Sequence, residues 1–181
     1  MRTAQDLIFE YYRPGSLLAE TLMDHSRLVR DKALAVAERL DDVGIDIAFI
    51  EQGAMLHDIG IFRTDAPSIH CFGDQPYLRH GIIGRKLLED HGLDRLALVC
   101  ERHVGVGITQ KDITTHALPL PERDMTPQTI EEIVICYADK FFSKTNGCQE
   151  RSVEDVANLL SRYGTEKAAI FLSWHERFSA D

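Results

Sequence analysis

The residues best suited to chemistry in this chain are histidines and aspartates that follow or precede apolar segments. His57 and Asp58 form a dipeptide that closes an apolar run beginning at Ile47. Other members of the set lie in or beside segments with helical patterning: His25, His80, His103 and Asp139. Imidazole nitrogens and carboxylate oxygens suit Zn, Fe, Mn, Co and Ni, and an aspartate that can bridge two ions is what a binuclear hydrolytic centre needs. The residue types therefore indicate a metal site.

Each member of this set also has an ordinary interpretation. A histidine on an apolar helix face, as His25 is, is more often a hydrogen-bonded core residue than a ligand. His80 could be a solvated residue at a helix start, and His103 a cation that interacts with a helix C-terminus. Asp58 and Asp139 favour the metal interpretation, because a carboxylate among apolar neighbours is costly to bury without a cation or several donors.

The surrounding pattern predicts helices that would carry these residues. The first predicted helix is short, opens at a Thr3/Asp6 capping box, runs through Leu7, Ile8 and Tyr11, and is broken by Pro14-Gly15. The other predicted segments are 17–40 capped by Ser16, 45–57 stopped by a left-handed Gly60, 80–91 ended by Gly92, 94–103 capped by Asp94, a helix capped by Thr126 with Pro127 in its first turn, 152–163 opened by Ser152, and a last helix capped by Thr165. A tight connection around Gly92 would make two of these helices antiparallel and bring His80 and His103 to the same end. The segments 62–77 and 104–127 are predicted to be loops.

No segment alternates in the manner of a strand, so we expect an all-α fold, a compact helical bundle. The 181 residues, 44% of them hydrophobic, contain no linker-like stretch. We expect one domain over residues 1–181, with the motifs in a core of about 22–145 and C-terminal helices at 152–178 packed on it.

The order of the motif residues resembles the HD-domain superfamily of metal-dependent phosphohydrolases. The order is His25, then His57-Asp58, then Asp139, and the string HDIG at 57–60 matches the HDIG branch. His80 in RHGIIG and His103 in ERHVGVGIT resemble the two-metal versions, which include bacterial dinucleoside polyphosphate hydrolases and HD-GYP cyclic-dinucleotide phosphodiesterases. The resemblance implies the fold of an HD-type helical bundle over roughly residues 22–145.

The resemblance also implies roles for these residues. His25, His57, Asp58 and Asp139 would bind a first divalent ion, and Asp58 would bridge to a second ion held by His80 and His103. Asp58 would then be the catalytic residue, because it would also position the attacking water. One or two ions of Fe, Mn, Zn, Co or Ni are expected.

The chain departs from the family pattern at two places. Many relatives have Lys three residues after the Asp, in HDIGK, whereas this chain has Ile61. No GYP string occurs, and His103 is followed by Val104 rather than by a second histidine, which argues against a cyclic-di-GMP substrate. Cations near the motifs could contact phosphate, although they could equally be solvated surface charges: Arg63, Arg79, Lys140 and Lys144.

The first functional hypothesis is hydrolysis of a phosphoester or phosphoanhydride in a small molecule, a nucleotide in particular, by a metal-activated water. Two alternatives stay open: a catalytically silent sensor that binds metal and nucleotide, and a di-iron oxygenase with similar ligands. The formal net charge of −9 argues against a broad nucleic-acid surface. Four scattered cysteines without a C-x-x-C pair, and no apolar run long enough to span a bilayer, predict a cytoplasmic protein without a membrane partner.

Overall fold

The computed structural model describes residues 2–40, 44–145 and 148–179. These residues form nine α-helices, three short 3-10 helices and one small sheet. The helices are α1 (Ala4–Tyr11), α2 (Leu17–Ala37), α3 (Ile47–Leu56), α4 (His80–Asp90), α5 (Asp94–Arg102), α6 (Gln110–His116), α7 (Ile130–Asp139), α8 (Val153–Ser161) and α9 (Thr165–Ser179). The predicted helical bundle is confirmed.

The most apolar helix, α3, lies at the centre of the bundle. It contacts α1, α2, α5 and α7, and its residues Ile50, Ala54 and Leu56 are buried. Its one polar face, with Glu51 and Gln52, is exposed, whereas its apolar faces pack against these helices because apolar area in water is unfavourable. His57 and Asp58, which follow α3, therefore lie in the interior of the molecule.

Side-chain caps set several helix starts where the sequence predicts them. Thr3 and Asp6 form a reciprocal capping box at α1, Ser16 accepts a hydrogen bond from the backbone N–H of Ala19, and Ser152 caps α8. Each cap satisfies a backbone N–H that the first helical turn leaves without a partner.

Three predicted helix starts differ from the structure, those of α5, α7 and α9; the last begins at Thr165 itself, which was predicted to be its cap. Thr126 and Pro127 do not open α7; its cap is Thr129, whose hydroxyl accepts the N–H of Glu132. Glu132 decides this start, because its carboxylate also accepts the N–H of Gln128 and so holds the chain extended up to that point. Asp94 does not cap α5 but is its first residue.

The predicted loops contain short regular elements. Residues 61–79 form the 3-10 helices Ile61–Arg63, Pro67–Ile69 and Tyr77–Arg79 around the strands β1 (Thr64–Ala66), β2 (Cys71–Phe72) and β3 (Gln75–Pro76). β1 lies between β2, which is antiparallel to it, and β3, which is parallel to it. The second loop contains α6, which was not predicted although Thr109 and Asp112 form a capping box at its start.

The last helix, α9, packs on α7 and α8. α9 contacts both, and the ring of Tyr137 on α7 stacks on Phe171 of α9 with ring centroids 5.4 Å apart. Lys167 of α9 binds the carboxylate of Asp112 at 2.6 Å and the carbonyl of Gly107 at 3.2 Å. These contacts attach the C-terminal helices to the segment that follows α5. Among the described residues, no helix combines the length and apolarity needed to cross a bilayer.

Candidate metal centre

The turn after α3 is held in place by contacts from α1 and α4. The buried hydroxyl of Tyr12 donates to the carbonyl of Ile59 at 2.8 Å and accepts the N–H of Phe62 at 3.2 Å. One side chain satisfies both backbone groups, so the end of α1 fixes the turn that contains His57 and Asp58.

Gly60 in this turn does not have the left-handed conformation that the sequence predicts. Its φ is −85° and its ψ is −6°. A Cβ at this position would lie 2.2 Å from the carbonyl oxygen of His80 and 2.5 Å from the backbone N of Gly84. Glycine is therefore required for close approach rather than for a positive φ, because the backbone of α4 lies directly against the turn.

One side of Asp58 faces a first group of ligand-type atoms. Its Oδ2 lies 2.9 Å from Nε2 of His57 and 3.3 Å from Nε2 of His25. Asp139, at the end of α7, places Oδ1 3.0 Å from Nε2 of His25 and 3.5 Å from Nε2 of His57. All four side chains are buried. Residues from α2, α7 and the turn after α3 thus converge on one point.

The other side of Asp58 faces a second group. Its Oδ1 lies 3.3 Å from Nε2 of His80 and 3.5 Å from Nε2 of His103. The two imidazoles lie 3.1 Å apart, Nε2 to Nε2. His80 begins α4 and His103 follows α5, and the two helices pack against each other across a turn in which Gly92 has a φ of +70°. The hairpin geometry predicted from Gly92 is confirmed.

Backbone carbonyls orient three of the four imidazoles. Nδ1 of His57 donates to the carbonyl of Ala54 at 2.7 Å, Nδ1 of His80 to that of Tyr77 at 2.6 Å, and Nδ1 of His103 to that of Cys100 at 2.8 Å. A carbonyl can only accept, so Nδ1 carries the proton and the Nε2 atom points into the site. This arrangement is usual for histidines that bind metal.

The electrostatics keep the carboxylates of the site ionised. Burial favours the neutral form of Asp58, but the ammonium group of Lys144 and the imidazole of His57 outweigh it and hold the pKa of Asp58 well below its usual range. Burial acts on Asp139 in the same sense, and Lys140 together with His25 lowers its pKa well below the usual range. Two negative charges therefore face the imidazoles at neutral pH.

The pKa values of the histidines shift in opposite directions because their surroundings differ. Burial would lower the pKa of His57, but the charges of Asp58 and Asp139 raise it to about 9. Burial lowers the pKa of His80 to about 3 and also lowers that of His103. The two imidazoles of the second group are therefore neutral at pH 7, and their Nε2 lone pairs face each other.

These donors fit divalent metal ions. Donor atoms about 2.1 Å from a common ion, at the angles of four- to six-coordinate sites, lie roughly 3.0–3.4 Å from one another. The separations that involve a histidine nitrogen, 2.9–3.5 Å, agree with this spacing, and the ligand atoms of each group all lie within 4.8 Å of one another. Oδ1 of Asp58 is buried and has no hydrogen-bond partner among the described residues. The facing lone pairs of His80 and His103 and this buried carboxylate oxygen are both satisfied by a cation.

Two lysines complete the inner part of the site. The ammonium group of Lys144 contacts Oδ2 of Asp58. Lys140 pairs with Oδ2 of Asp139 at 2.7 Å and donates to the carbonyl of His103 at 3.0 Å. Ile61, which stands where many relatives have lysine, is fully buried in the core. A cation next to the HD aspartate is therefore present, but it comes from the segment after α7.

A cavity of about 860 Å³ opens beside these groups. Its walls include His80, Asp139, Lys140, Lys144 and the ring of Tyr77, which stacks on His80 with centroids 4.7 Å apart. Tyr77 is a cavity residue that the sequence analysis did not identify, because nothing local to its 3-10 turn indicates that its ring covers an imidazole.

The remaining sequence candidates lie elsewhere. Arg63 is exposed, with its guanidinium over the ring of Phe62, and it does not line the cavity. Arg79 also lies outside the cavity lining. Of the four histidines that belong to neither group, His70 and His116 are exposed, whereas His91 and His175 are half-buried and bonded to Tyr11 and Tyr137, respectively.

Comparison with known proteins identifies similar sequences and structures. The sequence profile described as "HD domain" matches residues 22–143. An uncharacterized protein from Methanocaldococcus jannaschii is 31% identical over 144 residues, which covers 78% of this chain and 76% of that protein. A tRNA (cytidine(56)-2′-O)-methyltransferase from Thermoplasma volcanium is 30% identical over 91% of this chain, but this chain spans only 42% of that enzyme.

The fold is similar to that of the crystallised HD domain of the phosphodiesterase PgpH from L. monocytogenes. The TM-score is 0.51 at 16% sequence identity, and the match covers 88% of this chain and 94% of that domain. A second structure, of the same domain in complex with cyclic-di-AMP, also has a TM-score of 0.51. At this identity the likeness concerns the fold.

Proposed function

The chain belongs to the HD domain family, and from that premise we propose that it is a metal-dependent phosphohydrolase. Its proposed substrate is a small molecule of the nucleotide class, in which it cleaves a phosphoester or phosphoanhydride bond. The proposed metal ligands are His25, His57, Asp58, His80, His103 and Asp139.

The observation that carries this proposal is the position of Asp58 between two groups of donors. One carboxylate oxygen faces His25 and His57, and the other faces His80 and His103. A carboxylate placed in this way can bridge two ions, and a single-ion site would need only one of its oxygens. Paired ions are characteristic of enzymes that displace an oxygen at phosphorus.

Two bound divalent ions would supply Lewis acidity, which acidifies a water molecule and neutralises charge on the phosphoryl oxygens. The protein's own contribution is placement. Backbone carbonyls fix the imidazole orientations, and Asp58 and Asp139 supply the negative charge that retains cations. Lys140 and Lys144 line the cavity beside these ligands, where their ammonium groups can attract phosphate oxygens. Burial opposes the charge on Lys144, but Asp58 outweighs it and raises the pKa of that lysine.

The cavity supports a small anionic substrate. A volume of about 860 Å³ lies within the range of small-molecule sites and suits a nucleotide. Its basic lining contrasts with the net charge of −9 on the whole chain, which disfavours an extended polyanion such as a nucleic acid. The complex of the PgpH HD domain with cyclic-di-AMP adds support for a nucleotide.

The test is phosphate or nucleotide release by protein reconstituted separately with Mn, Co, Ni, Fe, Zn or Mg. We expect turnover of bis(p-nitrophenyl) phosphate and of members of a nucleotide panel, and loss of both metal and turnover in Asp58→Ala. Asp94→Ala, which removes an exposed carboxylate at the start of α5, is the matched control and should behave as wild type. A metal-loaded, active Asp58→Ala protein would contradict the proposal.

Two other outcomes would replace this proposal with a different function. Tight nucleotide binding without turnover for every metal would indicate a sensor. Oxygen consumption with a substrate that carries no phosphate would indicate an oxygenase.

A further inference from the structure

Part of the cavity wall comes from residues beyond the family match, which ends at residue 143. These residues include Lys144, Arg151, Leu160, Arg162 and Lys167, and the rest of the wall comes mostly from residues 66–80 and 104–118. The segment before α8, α8 itself and α9 therefore shape the part of the cavity that is furthest along the chain from the metal-ligand motifs.

The cavity is strongly basic for so acidic a protein. Its lining has five lysine and arginine side chains against two carboxylates, those of Asp112 and Asp139. In the whole chain, acidic residues outnumber basic ones by 29 to 20. A cluster of one sign within a concave surface focuses the electric field and raises the local concentration of oppositely charged ligands.

Three of these five cations have carboxylate partners. Lys144 pairs with Asp58, Lys140 with Asp139 and Lys167 with Asp112. By contrast, Arg151 and Arg162 form no ion pair with a carboxylate in the part of the chain that the structure describes. Their charges are available to a ligand.

Arg151 is held at the cavity wall by the end of α7. Its backbone N–H donates to the carbonyl of Phe141 at 2.8 Å, and its guanidinium donates to the carbonyl of Lys140 at 3.4 Å. Phe142 and Glu150 form an isolated antiparallel bridge beside it. Arg151 thus lies next to the lysine that pairs with Asp139, whereas Arg162 follows the last turn of α8 and is exposed.

The far side of this wall is also fixed. The contacts of Lys167 with Asp112 and with the carbonyl of Gly107 join α9 to the segment between α5 and α6. These contacts hold α9 against that segment before a ligand binds, and a preformed wall lowers the entropy cost of binding.

We propose that Arg151 and Arg162 form a second anion-binding subsite in this cavity. It takes a phosphate group of the substrate other than the one at which water attacks. Arginine suits this role because its planar fork matches phosphate oxygens bidentately. The proposal rests on the proposed function and narrows it: the substrate is a nucleotide with at least two phosphate groups, and residues beyond the family match select it.

The experiment compares ligands that differ by one phosphate. Calorimetric titration of metal-loaded protein uses AMP, adenosine 3′,5′-bisphosphate and adenosine 5′-(α,β-methylene)diphosphate. We expect wild-type protein to bind at least one of the two bisphosphates about tenfold more tightly than AMP, as one additional charged hydrogen-bonding contact provides. In Arg151→Gln/Arg162→Gln this preference should fall to nearly one.

Two further variants separate charge from geometry and from general effects. The Arg151→Lys/Arg162→Lys protein should retain part of the preference, because it keeps the charges and loses the fork. Arg13→Gln, a change at an exposed arginine outside the cavity lining, should keep the wild-type ratio. A wild-type ratio near one, or an unchanged ratio in the double glutamine variant, would overturn the subsite.

The titration needs no turnover, so the two proposals can fail separately. A phosphate preference that disappears in the glutamine variant, in a protein that hydrolyses nothing, would leave the subsite standing and remove the phosphohydrolase. Hydrolysis with an unchanged preference would do the reverse.

Discussion

Replacing Gly60 by alanine tests whether close packing of α4 against the turn after α3 builds the second metal site. The added Cβ would lie 2.2 Å from the carbonyl oxygen of His80, whereas ordinary contact begins at 3.4 Å. The backbone at His80 must therefore retreat by about 1.2 Å from the turn. Metal–ligand distances tolerate only about 0.2 Å, so this shift exceeds the tolerance several-fold.

The first metal group should survive the same substitution. His25, His57 and Asp139 come from α2, the turn after α3 and α7, none of which has to move when α4 retreats. We expect metal content, measured by plasma mass spectrometry after reconstitution with Mn or Co, to fall from two ions per chain to one. Overpacking should also lower the free energy of unfolding by about 1–3 kcal/mol.

Two other glycines separate packing from stability. In Gly92→Ala the added Cβ meets nothing within 4 Å, but a φ of +70° is strained for alanine, which costs about 1–2 kcal/mol. That variant should be less stable and still bind two ions. In Gly84→Ala the Cβ would lie 3.1 Å from Cys100 Cβ, so a shift of only a few tenths of an ångström is needed. If Gly60→Ala does not fold, the metal content of Gly84→Ala is measured in its place. Two ions in folded Gly60→Ala protein would refute the reasoning.

Three further changes test contacts outside the metal ligands. Tyr12→Phe should lower the free energy of unfolding by about 1–3 kcal/mol, because two buried backbone groups of the turn lose their partner; Tyr163→Phe, at a ring that is 73% exposed, should have no effect on the same denaturant midpoint. Arg102→Ala should lower the free energy of unfolding, measured in urea, by about 3 kcal/mol, because the buried carboxylate of Glu132 loses its cationic partner. The pKa of Asp112 is lowered to about 2, so its ion pair with Lys167 stabilises the protein above about pH 4, and this stabilisation is lost as the pH falls towards 2. In Asp112→Asn the free energy of unfolding should therefore depend less on pH between 4 and 2. An unchanged dependence would count against a contribution of the ion pair.

The sequence predicted the parts of the fold that depend on local signals. Caps at Thr3, Ser16 and Ser152 set helix starts because each satisfies backbone groups within three residues of itself. The hairpin that joins His80 and His103 followed from one glycine and two helix lengths. The meeting of the two halves of the site was predicted from the resemblance, since nothing in the local pattern relates residue 25 to residue 139.

The features that were missed depend on contacts distant in sequence. Gly60 looked like a helix stop, but its conformation is set by α4, which begins twenty residues later. The start of α7 moved to Thr129 because Arg102 on another helix and the N–H of Gln128 both bind Glu132. Lys144 was among the candidate phosphate contacts, but its ion pair with Asp58 was not predicted, because no local pattern distinguishes that lysine from a surface charge.

The most direct test of the central claim is a crystal structure of metal-reconstituted protein with anomalous scattering recorded at the absorption edge of the added metal. We expect two peaks a few ångströms apart. One would lie within bonding distance of His25, His57 and Asp139, the other within bonding distance of His80 and His103, with one oxygen of Asp58 on each. A single peak bound by only one group, or strong peaks only at the surface, would contradict the two-ion centre on which the proposed hydrolysis depends.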